Sequence, residues 1–308
     1  NMTNPLKTEI AGLRLSNPTI LAAGILGLTT TTLQEAIKQG AGAVVTKSIS
    51  QKPRTGYPNP TIARIDNYGL LNAMGLPNPG ATYFAKEIRQ LKKQHLHAPI
   101  IASVIGFTQH EYTQTAQTLT KAGADAIELN ISCPHVKKTG SEIGQNPKLV
   151  TQIVKQVKSA ISKPVIVKLT PNVTDIVEIA KTAVDSGADA ITAINTVRAM
   201  AIDTETSKPI LANKTSGLSG PAIKPIAVRC VYEIYEAVKA PIIGCGGVNT
   251  WQDAVEFMLA GASAVQIGTA IASQGLGIFR SISQGIDTYI HDKGFRSINE
   301  IVGLSHRR

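Results

Sequence analysis

The chain has 308 residues, 43% hydrophobic and 17% charged, which is enough to bury a sizeable core. No apolar run approaches the ~20 residues of a membrane helix, and no basic segment followed by an apolar stretch opens the chain, so neither a membrane protein nor a secreted one is expected. Three cysteines without a close pair (Cys133, Cys230, Cys245) argue against a disulfide framework or a Cys-ligated cluster and fit a reducing, cytoplasmic setting; the net charge of +10 is spread along the chain, as on a solvated surface rather than a nucleic-acid groove.

In chain order, residues 6–15 alternate around Ala11-Gly12, which predicts a hairpin. Eight short β-branched runs follow: Thr19–Ala23, Ala43–Lys47, Ile100–Ser103, Ala126–Asn130, Val165–Leu169, Ala190–Asn195, Ile242–Cys245 and Ala264–Gly268. Each is apolar almost throughout, as parallel strands buried on both faces are. Amphipathic segments lie between them at Thr113–Ala122, Pro147–Ile161, Thr174–Ser186, Pro221–Val238 and Thr250–Ala260.

A short repeat precedes four of the runs, at Gly40-Ala41, Gly123-Ala124, Gly187-Ala188 and Gly261-Ala262. The Gly supplies a left-handed helix cap, and the Ala permits close packing of helix on strand. Eight strands alternating with helices predict an α/β fold, a (β/α)8 TIM barrel, with residues 1–308 forming one domain. An open doubly wound sheet is the alternative; no Gly-x-Gly-x-x-Gly turn follows the first strand to support it. The N-terminal hairpin would cap the barrel bottom. Two insertions, 48–82 and 197–220, would lie over the C-terminal mouth, where barrel active sites form.

The strand ends name the residues of that mouth. Strand two ends Thr46-Lys47-Ser48, strand three at Ser103, strand four at Asn130, strand five at Lys168 and strand six at Asn195-Thr196; strands seven and eight open into Gly246-Gly247 and Gly268-Thr269. A buried cation without a partner is expensive. Lys47 and Lys168 therefore either snorkel to the rim or converge on an anionic or electron-rich ligand. The glycines after strands seven and eight stand where barrels hold a phosphate on backbone N–H groups. Asn130 and Asn195 donate and accept at once, as reading a heterocyclic amide requires. A phosphate-bearing cofactor across the mouth, with a small polar heterocycle beside it, follows from this set. The six His form no metal constellation with other ligands.

The stretch Glu128-Leu129-Asn130-Ile131-Ser132-Cys133-Pro134-His135 runs from strand four into a loop. Pro134 biases Cys133 toward an extended conformation. Its thiol has two readings: a proton acceptor or nucleophile at the mouth, or a small buried hydrophobe. The 132–145 loop, with Lys137-Lys138 and Gly140, reads either as a lid over Cys133 or as an ordinary surface loop.

In this order the motifs resemble the dihydroorotate dehydrogenase family, from about residue 5 to 300. The specific pieces are Thr46-Lys47-Ser48, Asn72-Ala73-Met74-Gly75-Leu76-Pro77-Asn78, Asn130-Ile131-Ser132-Cys133-Pro134, Ile194-Asn195-Thr196, Gly217-Leu218-Ser219-Gly220 and Gly244-Cys245-Gly246-Gly247. A Cys rather than a Ser as base resembles the class 1 branch, most of all class 1B. The resemblance implies FMN, contacted by Ala23, Lys47, Ser48, Ser103, Asn130, Lys168, Ile194, Gly220, Gly246, Gly247, Gly268 and Thr269. It also implies that dihydroorotate is held by Lys47, Asn72, Ala73, Met74, Gly75, Leu76, Asn130, Asn195 and Thr196, with Cys133 and Lys47 as the catalytic pair. Cys133 would take the C5 proton while the C6 hydride passes to flavin N5. Two positions depart from the family pattern: Ser103 and His135 stand where many members have Asn. His135 would contact substrate or tune Cys133, or else face solvent.

Rival readings are an FMN-dependent tRNA dihydrouridine synthase, which shares an Asn-x-x-Cys-Pro loop, and a non-catalytic phosphate-ligand barrel. The Met74-Gly75-Leu76 loop suits a small acid, and no separate helical RNA-binding segment stands at the C-terminal end, so no nucleic acid is expected. The chain has no dinucleotide fingerprint and too few Cys for an iron–sulfur cluster. Electrons would leave through a partner subunit carrying FAD and a 2Fe-2S cluster to NAD, as in class 1B, or directly to fumarate, as in class 1A. A homodimer core is implied by the resemblance and by the symmetry common among soluble enzymes.

Overall fold

The computed structural model describes residues 4–132 and 143–307. The chain opens with an antiparallel hairpin, β1 (Thr8–Ile10) and β2 (Leu13–Leu15), turned by Ala11 and Gly12 at φ of 50° and 82°. There follow β3 (Thr19–Leu21), α1 (Thr30–Lys38) and β4 (Ala43–Val45). The first excursion carries β5 (Ile62–Ile65) and β6 (Gly69–Asn72). The barrel then resumes with α2 (Ala81–Lys92), β7 (Ile100–Val104), α3 (Gln109–Lys121), β8 (Ala126–Asn130), α4 (Pro147–Ala160), β9 (Val165–Leu169), α5 (Ile176–Asp185) and β10 (Ala190–Ala193). The second excursion holds β11 (Val197–Ala199), β12 (Ile202–Asp203), β13 (Lys208–Pro209) and β14 (Ser216–Ser219). The chain finishes with α6 (Lys224–Ala237), β15 (Ile242–Cys245), α7 (Trp251–Ala260), β16 (Ala262–Ile267), the short α8 (Ile271–Gln274) and α9 (Ile278–Asp292).

Strands β3, β4, β7, β8, β9, β10, β15 and β16 close on themselves as a parallel barrel. The fold is the (β/α)8 TIM barrel expected from the eight apolar runs. Its outer faces pack against the helices in one continuous apolar layer. Inside, Ile20, Ala43, Val45, Ile101, Ile166 and Ile243 fill the lower half, and Ile10, Leu13 and Leu15 of the hairpin close it from below. Each fully buried Ile or Leu there contributes about 1.5–3 kcal/mol relative to exposure.

The Gly-Ala repeat is a joint. Gly40, Gly123, Gly187 and Gly261 all take positive φ, between 103° and 124°, and end the preceding helix. In two copies the next residue is Asp, and the sequence had not revealed its use. Asp125 accepts from the Ile100 N–H at 2.8 Å and pairs with Lys92; Asp189 does the same for Val165 and Lys158. The carboxylate thus ties the start of one strand to its neighbour and to a helix end.

The helix starts that differ most from the periodicity are two. The helix expected over Thr113–Ala122 begins at Gln109, because Thr108 caps it by accepting from the Glu111 N–H. The helix expected from Pro221 opens as a 3-10 turn, Pro221–Ile223, before α6. Among the described residues no helix is long and apolar enough to cross a membrane.

The excursions are not independent loops. β11, β14, β6 and β5 form one four-stranded antiparallel sheet, with Gly217 opposite Asn72. Gly217 has to be Gly here, since an added Cβ would run into the Thr196 side chain. This sheet stands beside the barrel mouth and walls one side of the site.

Candidate active site

Alternation along each barrel strand decides what reaches the mouth. Ala126, Glu128 and Asn130 lie two apart on β8, and Ile166 and Lys168 do so on β9 with Thr170 just past its end, so each series turns one face inward. The interior switches from apolar to polar on climbing each series. Above the polar layer opens a cavity of about 630 Å³. Its walls include the mouth residues named from the strand ends, save Thr46 and Ser103, together with the Asn72–Leu76 loop and Gly220.

Lys47 follows β4 and is 6% exposed. Its Nζ lies 3.4 Å from the Gly24 carbonyl oxygen and 3.8 Å from Met74 Sδ. Neither is an anion, and burial lowers its pKa from the ordinary lysine value. Among the described residues it has no acidic partner, so a carboxylate entering the cavity would meet an unneutralised cation.

Asn130 sits at the centre of an amide cluster. Its Nδ2 donates to Ser48 Oγ at 3.1 Å, and its Oδ1 accepts from the Ser132 N–H at 3.2 Å and from Asn195 Nδ2 at 3.3 Å. Asn195 Oδ1 in turn accepts from the Thr196 N–H at 2.8 Å. Ser103 is fully buried behind this cluster, bonded to Ser48 Oγ at 2.8 Å, and is not part of the cavity wall. Asn72 Nδ2 donates to the Gly217 carbonyl at 3.2 Å, which holds it on the excursion sheet. Gly75 takes φ 72°, and a Cβ there would come 2.7 Å from the Tyr57 backbone nitrogen. The Met74–Leu76 loop is therefore set by that close approach.

At the other end, Gly246 and Gly247 take φ of 127° and 78° after β15. A Cβ on Gly247 would lie 2.8 Å from the Gly220 carbonyl oxygen. Gly24, across the mouth, has nothing within 4 Å of a built Cβ, so its α-carbon faces open space. Thr269 Oγ1 donates to Ser219 Oγ at 2.7 Å, joining the loop after β16 to the excursion sheet.

Beneath the cavity Lys168 donates to Gln266 Oε1 at 2.9 Å and stands 3.9 Å from Glu128 Oε1. The periodicity had not marked Glu128 or Gln266 as site residues. Each carries a signal in hindsight: a long polar side chain two positions before a mouth residue, Asn130 or Gly268, on an otherwise apolar strand. Cys133 and His135 lie outside the described residues, as does most of the 132–145 loop; Ser132, the residue before Cys133, is on the cavity wall.

Comparison with known proteins agrees with this geometry. The profile of the family Dihydroorotate dehydrogenase matches residues 5–290. A Pyrococcus abyssi protein named Dihydroorotate dehydrogenase B (NAD(+)), catalytic subunit, is 51% identical over 300 residues, covering 97% of this chain and 99% of its own. A Methanocella arvoryzae protein of the same name is 52% identical, covering 96% of each. The crystal structure of DHODH from Eimeria tenella in complex with ferulenol superposes with a TM-score of 0.87, covering all of this chain and 90% of that one; at 22% identity it speaks for the fold alone. Matched by the family profile over most of its length, and sharing half its residues with B-type catalytic subunits, the chain belongs to the dihydroorotate dehydrogenase family, within class 1B.

Proposed function

We propose that this chain is one flavin-binding barrel domain that oxidises dihydroorotate to orotate in pyrimidine biosynthesis, with FMN as its flavin. The observation that carries the reading is Lys47: a buried cation with only neutral partners among the described residues, on the wall of a cavity that asparagines also line. A small heterocyclic acid satisfies both at once, its carboxylate on Lys47 and its ring amides on Asn72, Asn130 and Asn195.

The residues present fit FMN. Gly246, Gly247 and Gly220 take positive φ and pack so closely that a Cβ would strike neighbouring protein atoms, and bare backbone turned this way suits presentation of N–H groups to a phosphate. Lys168 offers a cation to the electron-rich edge of the ring, and Ala23, Ser48, Ile194 and Thr269 complete the walls. When bound, the flavin supplies hydride acceptance at N5. The chain's own work is the rest. Cys133, following Ser132, removes the C5 proton of dihydroorotate at Sγ; Lys47 fixes the substrate carboxylate; Asn130 and Asn195 set the plane of the ring. Electrons then leave through a partner subunit carrying FAD and a 2Fe-2S cluster to NAD, on a homodimeric core. The absence of a dinucleotide fingerprint and the relatives' name, a catalytic subunit using NAD(+), support this route.

The test is anaerobic. Purified chain loaded with FMN is mixed with dihydroorotate and its visible spectrum followed. Bleaching of the flavin band is expected. A flavin band that dihydroorotate leaves intact, or a chain that cannot take up FMN, overturns the reading.

A further inference from the structure

The most unusual group in the barrel interior is Glu128. It sits at the middle of β8, fully buried, on a strand otherwise apolar up to Asn130. A carboxylate so placed is costly unless it is paired. Its Oε2 accepts from Thr192 Oγ1 at 2.9 Å and from Gln266 Nε2 at 2.6 Å. Its Oε1 has no hydrogen-bond partner and stands 3.9 Å from Lys168 Nζ. The Gln266 amide is thereby oriented: its NH2 is committed to Glu128, so its carbonyl must face Lys168, from which it accepts at 2.9 Å. A polar relay runs from carboxylate through amide to ammonium, and both Lys168 and Gln266 end on the cavity wall.

We propose that Glu128 is a positioning residue for the flavin site: through the Gln266 amide it holds Lys168 in place, and as the buried counter-charge it keeps Lys168 a cation. This rests on the flavin reading above and goes beyond it, since Glu128 itself does not line the cavity.

The groups facing Lys168 from the packed strands are Glu128 on β8, Cys245 on β15 and Gln266 on β16; Lys47 lies in the same mouth. Burial works to lower the Lys168 pKa, but Cys245 and Glu128 together raise it above the ordinary lysine value. Of these two, Cys245 is the larger influence. Burial pushes its thiol up, against the pull of Lys168, so near neutral pH it is an uncharged hydrogen-bond partner. Glu128, 3.9 Å from Lys168 Nζ and held at Oε2 by Thr192 and Gln266, is the carboxyl group that faces it. Glu128→Gln keeps the shape and the bond from Thr192 and removes only that charge, which separates an electrostatic role from a packing one.

The experiment is a spectroelectrochemical titration of the FMN-loaded chain across pH, comparing wild type, Glu128→Gln, Lys168→Met and the double variant. In Glu128→Gln, Lys168 should lose its proton at lower pH than in the wild type. The midpoint potential should therefore show a downward step there, which the wild type lacks, because a cation beside the reduced flavin is lost. In the Lys168→Met background, Glu128→Gln should add no such step. A Glu128→Gln curve parallel to wild type, or an equal step in both backgrounds, overturns the proposal. If Glu128→Gln does not fold, Glu128→Asp, which draws the charge back by one methylene, is read in the same way: a step at more alkaline pH supports the role, and a parallel curve overturns it. Failure of the wild-type chain to take up FMN would instead sink the cofactor reading itself.

Discussion

The lower and upper halves of the barrel interior are built from the same strands, yet they do opposite things. Below, Ile101, Ile166 and Ile243 meet the hairpin's Ile10, Leu13 and Leu15 in one apolar cluster. Above, the same strands bring up Glu128, Lys168, Asn130 and Gln266, all at or under 9% exposure and all hydrogen-bonded. A single step of two residues along a strand crosses from one regime to the other. The bottom stabilises the fold by burying apolar area; the mouth spends some of that stability to hold charges out of water.

The largest effect should separate the two halves most sharply. Lys47→Ala is expected to cut kcat/KM for dihydroorotate on the order of a thousand-fold, as loss of a buried charge-assisted contact does. Its melting temperature should hold or rise, because an uncompensated buried cation is removed. Steady-state kinetics and calorimetry on one preparation read both. Ile243→Ala, at the bottom, should do the reverse: a loss of about 2–5 kcal/mol in denaturant unfolding with KM unchanged. Should Lys47→Ala destabilise as much as Ile243→Ala, the contrast between the halves would fail.

Gly247→Ala sharpens the comparison at the rim. Holding φ near 78° with a Cβ 2.8 Å from the Gly220 carbonyl costs about 1–3 kcal/mol of strain. The expected readout is weaker FMN retention on dialysis, ahead of any change in folding. The smallest effect belongs to Asp253, outside the barrel at the start of α7. Burial would raise its carboxyl pKa, but the Lys224 ammonium and the N–H groups of Asn249 and Thr250 outweigh that and hold it below the usual range. A depressed folded-state pKa stabilises above the unfolded value of about 3.9 and loses that contribution as pH falls through it toward the folded value. Asp253→Asn, which removes the charge paired with Lys224 but keeps an oxygen for the Thr250 capping box, should therefore cost about 1 kcal/mol near neutrality and flatten the acid limb of a stability-versus-pH curve.

The barrel was legible because its signals are local. Eight apolar runs, four Gly-Ala joints and a hairpin around Ala11-Gly12 each declare themselves within a few residues. Lys47, Lys168, Asn130 and Asn195 stood out for the same reason: polar groups closing apolar strands. What stayed hidden depends on partners far apart in sequence. Gln266 and Glu128 meet across 138 positions, and neither residue alone announces a relay. Ser103 shows the converse: a polar strand end to which the family resemblance gives a flavin contact is bonded to Ser48 Oγ and lies off the cavity wall. The excursions read as two long loops, since each supplies only half of a sheet whose ladder joins residues 145 apart, as Asn72 and Gly217 are.

That shared sheet has a consequence for how the site can be altered. Specificity here is not modular by segment, because the two inserts are complementary halves of one part. A chimera that imports only residues 48–82 from a relative would leave β14 without its matching edge, and one that imports only 197–220 would orphan β6 in the same way. Natural variation in substrate choice should therefore travel as a linked pair of substitutions on either side of the β6–β14 seam, and a successful graft has to carry both inserts as one cassette.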